Sequence, residues 1–282
     1  FAQVSRKGGR ETNFWMRPEP GVLLTHRLEE GTQAVRVVQF DARNSAWFSE
    51  VTNIVIAAGV ANEATMELKH GVTVRGQLDA LVPRPVVNGR VIAHVGPIGY
   101  KAENSPPQWH AWTEVREDGS FEIGSLPSGD LEMVALCDGF VSTNGPGKFQ
   151  MRYPQKHVLG TNDLTITIGM EPTVRLKVLV TDDQGKPLKD AQVSAWPSVR
   201  YGEWAAVVLA ADCYNSAEWF SLKPLKKSED WFKTPADFVG VSDSAGVAVL
   251  PNLPVTVKEF TVDHPQFTVP VTSHHGEVSA GE

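Results

Sequence analysis

Long apolar runs and clusters of basic residues are both missing from this sequence. The longest apolar candidate, residues 205–211, is far shorter than the roughly 20 residues that a membrane-spanning helix needs. The formal net charge is −7, and lysine and arginine are scattered among acidic residues. Such a charge distribution offers no basic surface for a phosphate backbone or an anionic membrane. We therefore expect no membrane-spanning segment and no nucleic-acid partner.

Cysteine is scarce, which excludes a framework of several disulfides. Cys137 and Cys213 are the only two cysteines in the chain. Cys137 ends an apolar run, and a free cysteine in that setting behaves as a small hydrophobic residue. We expect a buried free thiol at Cys137. A disulfide between the two would need Cα atoms within about 7 Å, which the sequence does not decide.

Motifs for catalysis and metal binding are missing as well. The chain has no HExxH, no CxxC, no Gly-x-Ser-x-Gly turn and no GxxxxGK[ST] phosphate loop. His274 and His275 are adjacent, so on a strand they would point to opposite faces and could not share an ion. These observations favour a protein that is not an enzyme and that carries neither a metal nor a cofactor.

Repetition is the most informative feature that the sequence does contain. Residues 28–41, 126–140 and 253–267 share a leucine, a short turn, an alternating apolar run and an aspartate. A second pair of segments, 65–75 and 165–175, aligns with an offset of 100 (165 minus 65). Solenoid repeats recur at roughly 20–50 residues, so this longer interval indicates an array of small domains. We predict a partial or divergent unit over 1–70, a complete unit over 71–170 and an elaborated unit over 171–282.

Short alternating segments separated by turn residues predict that these units are β-sandwiches. Strands are expected over 72–78, 90–95, 131–136, 174–180, 191–196 and 255–262. The dipeptides Asn88-Gly89 and Asp118-Gly119 suit the positive φ angles of a type I′ turn, and the second has apolar alternation on both sides. The pattern therefore predicts a β-hairpin at Asp118-Gly119.

These motifs resemble the carboxypeptidase regulatory-like family. The resemblance rests on GVTVRG at 71–76, VIAHV at 91–95, DGSFEIGSLPSG at 118–129 and CDGF at 137–140. It is good over about 70–170, weaker over 171–282, and covers only the closing strands of 1–70. It implies a transthyretin-like (prealbumin-like) seven-stranded Greek-key sandwich, an accessory rather than catalytic role, and a periplasmic or extracellular location in a bacterial protein.

An insertion at residues 197–240 interrupts the last unit and is rich in aromatic residues. We nominate Tyr201, Trp204, Trp219 and Trp231 as a binding surface, while Tyr100, Trp109 and Trp112 lie in the corresponding connection of the middle unit. Exposed rings would suit a protein neighbour or a glycan. Alternatively, the insertion folds over its own sandwich and buries its rings as a small second core.

The sequence thus favours a structural or protein-interaction module within a larger exported protein or assembly. Its expected partners are other protein subunits or domains of a longer chain. A carbohydrate-binding module that uses the aromatic insertion is the alternative. Since Phe1 is not an initiator methionine, we expect a processed product or a fragment.

Overall fold

The computed structural model describes residues 2–5, 11–14, 30–40, 45–98, 107–143, 156–195, 239–253, 259–267 and 274–275. Within these ranges every regular element is a β-strand. The prediction of an all-β fold built from packed sheets is therefore confirmed. The alternation of buried and exposed residues along strands such as residues 72–78 gives each sheet one face toward a core.

In the described part of the first 70 residues there are six strands, and each of them pairs with other members of this group. They are β1 (Ala2–Ser5), β2 (Glu11–Phe14), β3 (Gly31–Phe40), β4 (Ala46–Phe48), β5 (Thr52–Ile56) and β6 (Lys69–His70). Their order in the sheet is β2-β1-β3-β4-β6, and β5 also pairs with β3. The ten-residue strand β3 therefore organises this part of the chain, because it pairs with three neighbours.

The next nine strands form two sheets that face each other. They are β7 (Val72–Leu78), β8 (Arg90–Gly96), β9 (Trp109–Glu114), β10 (Ser120–Leu126), β11 (Gly129–Cys137), β12 (Phe140–Ser142), β13 (Lys156–Leu159), β14 (Leu164–Ile168) and β15 (Met170–Pro172). One sheet has the order β10-β7-β14, with β14 parallel to β7. The other has the order β15-β12-β11-β8-β9, and β13 pairs with β11. We call this pair of sheets the middle sandwich.

The remaining described strands form a third group. They are β16 (Val174–Leu179), β17 (Gln192–Ala195), β18 (Val239–Val241), β19 (Val247–Leu253), β20 (Glu259–Asp263) and β21 (His274–His275). Strand β16 pairs with β19, and the other four have the order β18-β17-β20-β21. We call this group the third sandwich.

The third sandwich repeats the hydrogen-bond register of the middle one. Val72 lies opposite Leu126, and Val174 lies opposite Leu253, with an irregularity next to each pair. These positions give an offset of 102 (174 minus 72), so the offset of 100 read from the sequence was wrong by two residues at this strand. The three repeated leucine phrases each contain a strand, namely β3, β11 and β20.

The prediction of a β-hairpin at Asp118-Gly119 was wrong. Gly119 has φ of +87°, and its amide donates to the Arg116 carbonyl at 2.8 Å, so the chain does turn there. However, Asp118 is not among the residues with positive φ, as a type I′ turn would require. The strands on either side belong to opposite sheets, since β9 pairs with β8 and β10 pairs with β7. The turn therefore carries the chain from one sheet to the other.

Two apolar clusters lie on opposite faces of the sheet that contains β8 and β11. The first cluster includes Val91, Ala93 and Val95 from β8, and Leu131, Met133, Ala135 and Cys137 from β11. The second includes the alternate residues Ile92 and Leu136. Because side chains alternate across a strand, this one sheet contributes to both clusters and forms a layer between them.

Candidate interaction surfaces

The aromatic surface predicted from sequence lies outside the described residues. Tyr201, Trp204, Trp219 and Trp231 all fall in the range 196–238. Their role as a binding surface therefore stays a prediction.

Trp109 and Trp112, by contrast, are described, and they lie on a strand rather than in a connecting loop. Both belong to β9, where they are three residues apart and therefore point to opposite faces of the sheet. Trp109 is completely buried in the first cluster. Trp112 is half-buried and packs against the second cluster. The two rings are thus packing residues at two different interfaces.

Trp109 packs at the contact between β1–β6, which we call the first group of strands, and the middle sandwich. Its ring meets the Phe48 ring edge to face, with centroids 4.8 Å apart and planes at 85°. Phe40 lies on β3, which pairs with β4, and its ring centroid is 6.5 Å from that of Trp109. Val38 and Ala46 from this group are also fully buried in the first cluster. The core of the middle sandwich therefore extends across residue 70.

Hydrogen bonds reinforce this junction at its edge. The Ala46 amide donates to Ser125 Oγ at 3.2 Å, and the Gly71 amide donates to the Ala46 carbonyl at 2.8 Å. Gly71 has no room for a side chain, because a Cβ there would lie 2.8 Å from the Phe48 ring and 2.9 Å from the Ala46 oxygen. The close approach of these two backbones therefore requires glycine at position 71.

The second cluster joins the middle sandwich to the third. The middle sandwich contributes Ile92, Leu136 and Val141 to this cluster. The buried residues that they pack with in the third sandwich are Val180, Ala191, Val193, Ala248, Leu250 and Leu253. Half-buried Trp112 covers one side of this contact. Burial of this apolar surface stabilises the junction between the two sandwiches.

A row of polar side chains crosses the same face of the sheet beside the second cluster. His110 lies opposite His94, His94 opposite Glu132, and Glu132 opposite Lys156, on strands β9, β8, β11 and β13. The two imidazole centroids are 4.9 Å apart. Glu132 Oε2 lies 3.6 Å from His94 Nδ1, and Glu132 Oε1 lies 3.0 Å from Lys156 Nζ. We call these four residues the polar row.

Burial and charge set the protonation of the polar row. Burial, together with the nearby His94, lowers the pKa of His110 to about 3, so this imidazole is neutral near pH 7. Burial also raises the pKa of the Glu132 carboxyl, but the neighbouring His94 and Lys156 lower it by more. Glu132 is therefore ionised and compensated by its neighbours. The side chains of His94 and Glu132 are only 11% and 10% exposed, which suits packing better than contact with a substrate.

The polar row was not predicted from the sequence, because each of its members appears there only as a polar residue among apolar ones. His94 lies in the strand predicted over 90–95, but the sequence does not pair it with His110, which lies opposite it on β9. Glu132 and Lys156 were not singled out. The four residues come together through the register of β11 against β8 and β13 and of β8 against β9, and that register comes from the tertiary fold.

Cys137 is a buried free thiol, as predicted. Burial, aided by the charge of Asp138, raises the pKa of the thiol to about 11. A thiol that stays protonated is a poor nucleophile, so this residue is suited to packing. Cys213 lies outside the described residues.

Neither a metal-binding cluster nor a membrane-spanning helix occurs within the described ranges. No group of three or more His, Cys, Asp and Glu side chains there could hold a metal ion. None of the described residues forms a helix that is long and apolar enough to cross a membrane.

Comparison with known proteins gives matches among solved structures alone. No family model matches the chain, and no curated protein matches it. A streptococcal ancillary pilin is 13% identical, with a TM-score of 0.31, over 90% of this chain and 73% of that one. The TIE protein of Bacillus anthracis is 14% identical, with a TM-score of 0.22, over 87% of this chain and 39% of that one.

A third match is the pilus backbone protein RrgB of Streptococcus pneumoniae. It is 10% identical, with a TM-score of 0.21, over 90% of this chain and 65% of that one. All three TM-scores are low, so the function of the chain has to be argued from its own residues.

Proposed function

We propose that this chain is a non-catalytic structural module, a series of β-sandwiches that serves as a rigid accessory part of a larger exported protein or assembly. The units correspond to residues 1–70, 71–170 and 171–282. The resemblance of 70–170 to the carboxypeptidase regulatory-like family supports both the transthyretin-like sandwich type and the periplasmic or extracellular location.

One observation carries this proposal. The sheet that contains β8 and β11 is covered on both faces by apolar clusters, and these clusters continue into the first group of strands and into the third sandwich. In the first cluster Phe48 and Trp109 meet across residue 70. In the second cluster Leu136 packs with Ala191 and Val193 across residue 170. Domains within one chain move relative to each other unless their interface is large and apolar. Two buried apolar junctions in succession therefore favour a rigid series.

The chemistry of the described side chains also supports a structural role. The polar row satisfies its own charges on a covered face, and the Cys137 thiol is held protonated. A catalytic site needs titratable groups that converge on an accessible cleft. The four residues of the polar row contact one another instead, which is the arrangement of a structural network.

The proposal predicts that the two faces of β11 stabilise different neighbours. Leu136 and Met133 are both 5% exposed, but Leu136 belongs to the second cluster and Met133 to the first. We expect Leu136→Ala to raise hydrogen exchange at amides around Ala191 and Ala248 in the third sandwich. Met133→Ala is the matched control and should instead raise exchange around Ile123 in the middle sandwich.

Exchange measured on the full chain by mass spectrometry separates these outcomes. If Leu136→Ala left the third sandwich unchanged, the second junction would not stabilise it and the proposal of a rigid series would fail. Equal effects of both variants on all strands would contradict the assignment of the two faces.

The aromatic insertion is proposed as the contact surface for a protein neighbour. Alanine at Trp204, Trp219 and Trp231 together should abolish capture of that neighbour from the native assembly while leaving the circular dichroism spectrum of the chain unchanged. Binding to a glycan array that is lost in the same variant would favour the carbohydrate-binding alternative instead.

A further inference from the structure

Strand β14 pairs with one edge of β7 in the middle sandwich, and β10 pairs with the other edge. It runs parallel to β7, with Leu164 opposite Val74 and Ile168 opposite Leu78. Leu164, Ile166 and Ile168 alternate on the face that packs against the first cluster. The strand thus supplies both backbone hydrogen bonds and apolar side chains to the sandwich.

A carboxylate fixes the start of this strand. Asp163 Oδ1 accepts a hydrogen bond from the Thr73 amide at 2.9 Å, and Asp163 Oδ2 accepts one from Arg75 Nη1 at 2.8 Å. The Thr73 amide, followed by the Arg75 guanidinium, lowers the pKa of the Asp163 carboxyl. An acid followed by three alternating apolar residues is therefore the pattern that docks on β7.

The corresponding position in the third sandwich has no such strand within the described ranges. There β16 takes the place of β7 and pairs only with β19. The Val180 amide donates to the Gly246 carbonyl at 2.8 Å, on the β19 side. Because N–H groups alternate in direction along a strand, those of Lys177 and Leu179 point to the opposite edge, with which no described strand pairs. Leu179 is also 62% exposed.

The charges along this edge match the same pattern. With the offset of 102 (174 minus 72), Arg175 takes the place of Thr73 and Lys177 takes the place of Arg75. Both side chains are exposed, and in the described part of the chain no carboxylate forms an ion pair with either one. In the middle sandwich the equivalent of Lys177 binds Asp163. The third sandwich therefore presents two cations where an incoming carboxylate would sit.

We propose that the β16 edge is a docking site for an extended strand of a second polypeptide, added parallel to β16. That strand carries a carboxylate followed by three apolar residues at alternate positions. Unpaired strand edges bind extended segments through main-chain hydrogen bonds, while alternate side chains give specificity. This inference rests on the proposed function, since it names the edge through which the module would join its neighbour.

One difference between the two edges affects how closely the strand can approach. A Cβ on Gly76 would lie 2.8 Å from the Ile166 oxygen of β14. The third sandwich has Val178 at that position, so the docked strand must lie slightly farther from β16. Ordinary parallel strands accommodate a valine there, so the pairing itself is preserved.

The test uses the full chain and a fluorescent peptide with the sequence of residues 162–168, which contains the docking pattern of β14. We expect binding, measured by fluorescence anisotropy, together with slower hydrogen exchange at the Lys177 and Leu179 amides. A nitroxide at the N-terminus of the peptide should broaden NMR signals near Val174 more than those near Leu179, as a parallel strand requires.

Two pairs of variants isolate the backbone and the charge. Lys177→Pro removes the amide donor and should weaken binding at least about tenfold, while Lys177→Ala keeps the amide and should weaken it only about threefold. Proline is tolerated on an edge strand, and unchanged thermal stability of Lys177→Pro would verify this. A peptide with Asp163→Lys should bind the wild type poorly and should recover affinity for Lys177→Glu.

Three results would overturn the proposal: no binding of the peptide at millimolar concentration, equal affinity for Lys177→Pro and Lys177→Ala, or slow exchange at Lys177 and Leu179 in the free chain. The last result would mean that the edge is already paired. None of these results would affect the exchange test of the two junctions, so failure of the docking site and failure of the rigid series are distinguishable.

Discussion

The contact between Phe48 and Trp109 should couple the stability of the first group of strands to that of the middle sandwich. Phe48 is 4% exposed and Trp109 is fully buried. Replacing a buried phenylalanine or tryptophan with alanine costs about 3–5 kcal/mol. An edge-to-face pair of rings adds about 0.5–1.5 kcal/mol beyond the area that it buries. We expect each single variant to lose about 3–5 kcal/mol, and the double variant to lose less than the sum by about 0.5–1.5 kcal/mol.

The assay is urea unfolding of the full chain followed by circular dichroism, which does not depend on the tryptophan that is removed. Trp47→Ala is the matched control, because Trp47 precedes Phe48 on β4 but is 38% exposed and faces away from the cluster. It should cost less than about 1 kcal/mol. If the alanine variants proved too unstable to fold, Phe48→Leu would provide a milder change, with an expected cost of about 1–1.5 kcal/mol. Strictly additive losses for Phe48 and Trp109 would refute the coupling.

Three further predictions concern protonation and close packing. Burial holds the pKa of His110 at about 3, against an ordinary value of 6.5, so on acidification His110 is protonated in the unfolded chain before it is in the folded one. The free energy of unfolding should therefore fall by about 1.4 kcal/mol per pH unit as the pH drops below 6.5. In urea titrations, His110→Gln should flatten that slope. Gly76→Val places a Cβ 2.3 Å from the Phe121 ring and should lower the free energy of unfolding by about 1–3 kcal/mol. The double variant Gly76→Val, Phe121→Ala should lose at least about 1 kcal/mol less than the sum of the two single losses, because the smaller side chain relieves the clash. Additive losses would contradict this. Gly129 has φ of +157° and a Cβ there would lie 2.2 Å from the Gly96 oxygen, so Gly129→Ala should lower the melting temperature far more than alanine at Gly160, where space is open.

Individual strands were accessible from the sequence because their signal is local. The alternation over residues 72–78 predicts a strand that the structure places at those residues. Of the strand expected over 191–196, the structure has Gln192–Ala195 as β17, and residue 196 lies outside the described residues. Of the strand predicted over 255–262, residues 259–262 lie in β20 (Glu259–Asp263), and residues 255–258 lie outside the described residues.

Pairing between strands was not accessible, because it depends on contacts distant in sequence. Asp118-Gly119 has the composition of a hairpin turn, yet its flanking strands join opposite sheets. Strand β10 pairs with β7 instead, and Phe121 occupies the space beside Gly76 there. The same limitation hid the polar row, whose four members come from four strands and lie together only through their register.

The pair formed by Gly76 and Phe121 also explains why the repeat is faint in the sequence although the backbone register is kept. In the third sandwich the same cross-strand position holds Val178 and Ala248. One pair combines no side chain with a large ring, and the other combines two side chains of intermediate and small size. Cores tolerate such exchanges when the total volume is preserved. Each copy can therefore diverge at individual positions while the glycine turns persist, since Gly119 and Gly246 have φ of +87° and +76° and accept hydrogen bonds from Leu78 and Val180. The turns, rather than the core residues, are the positions at which further copies of this unit should be sought.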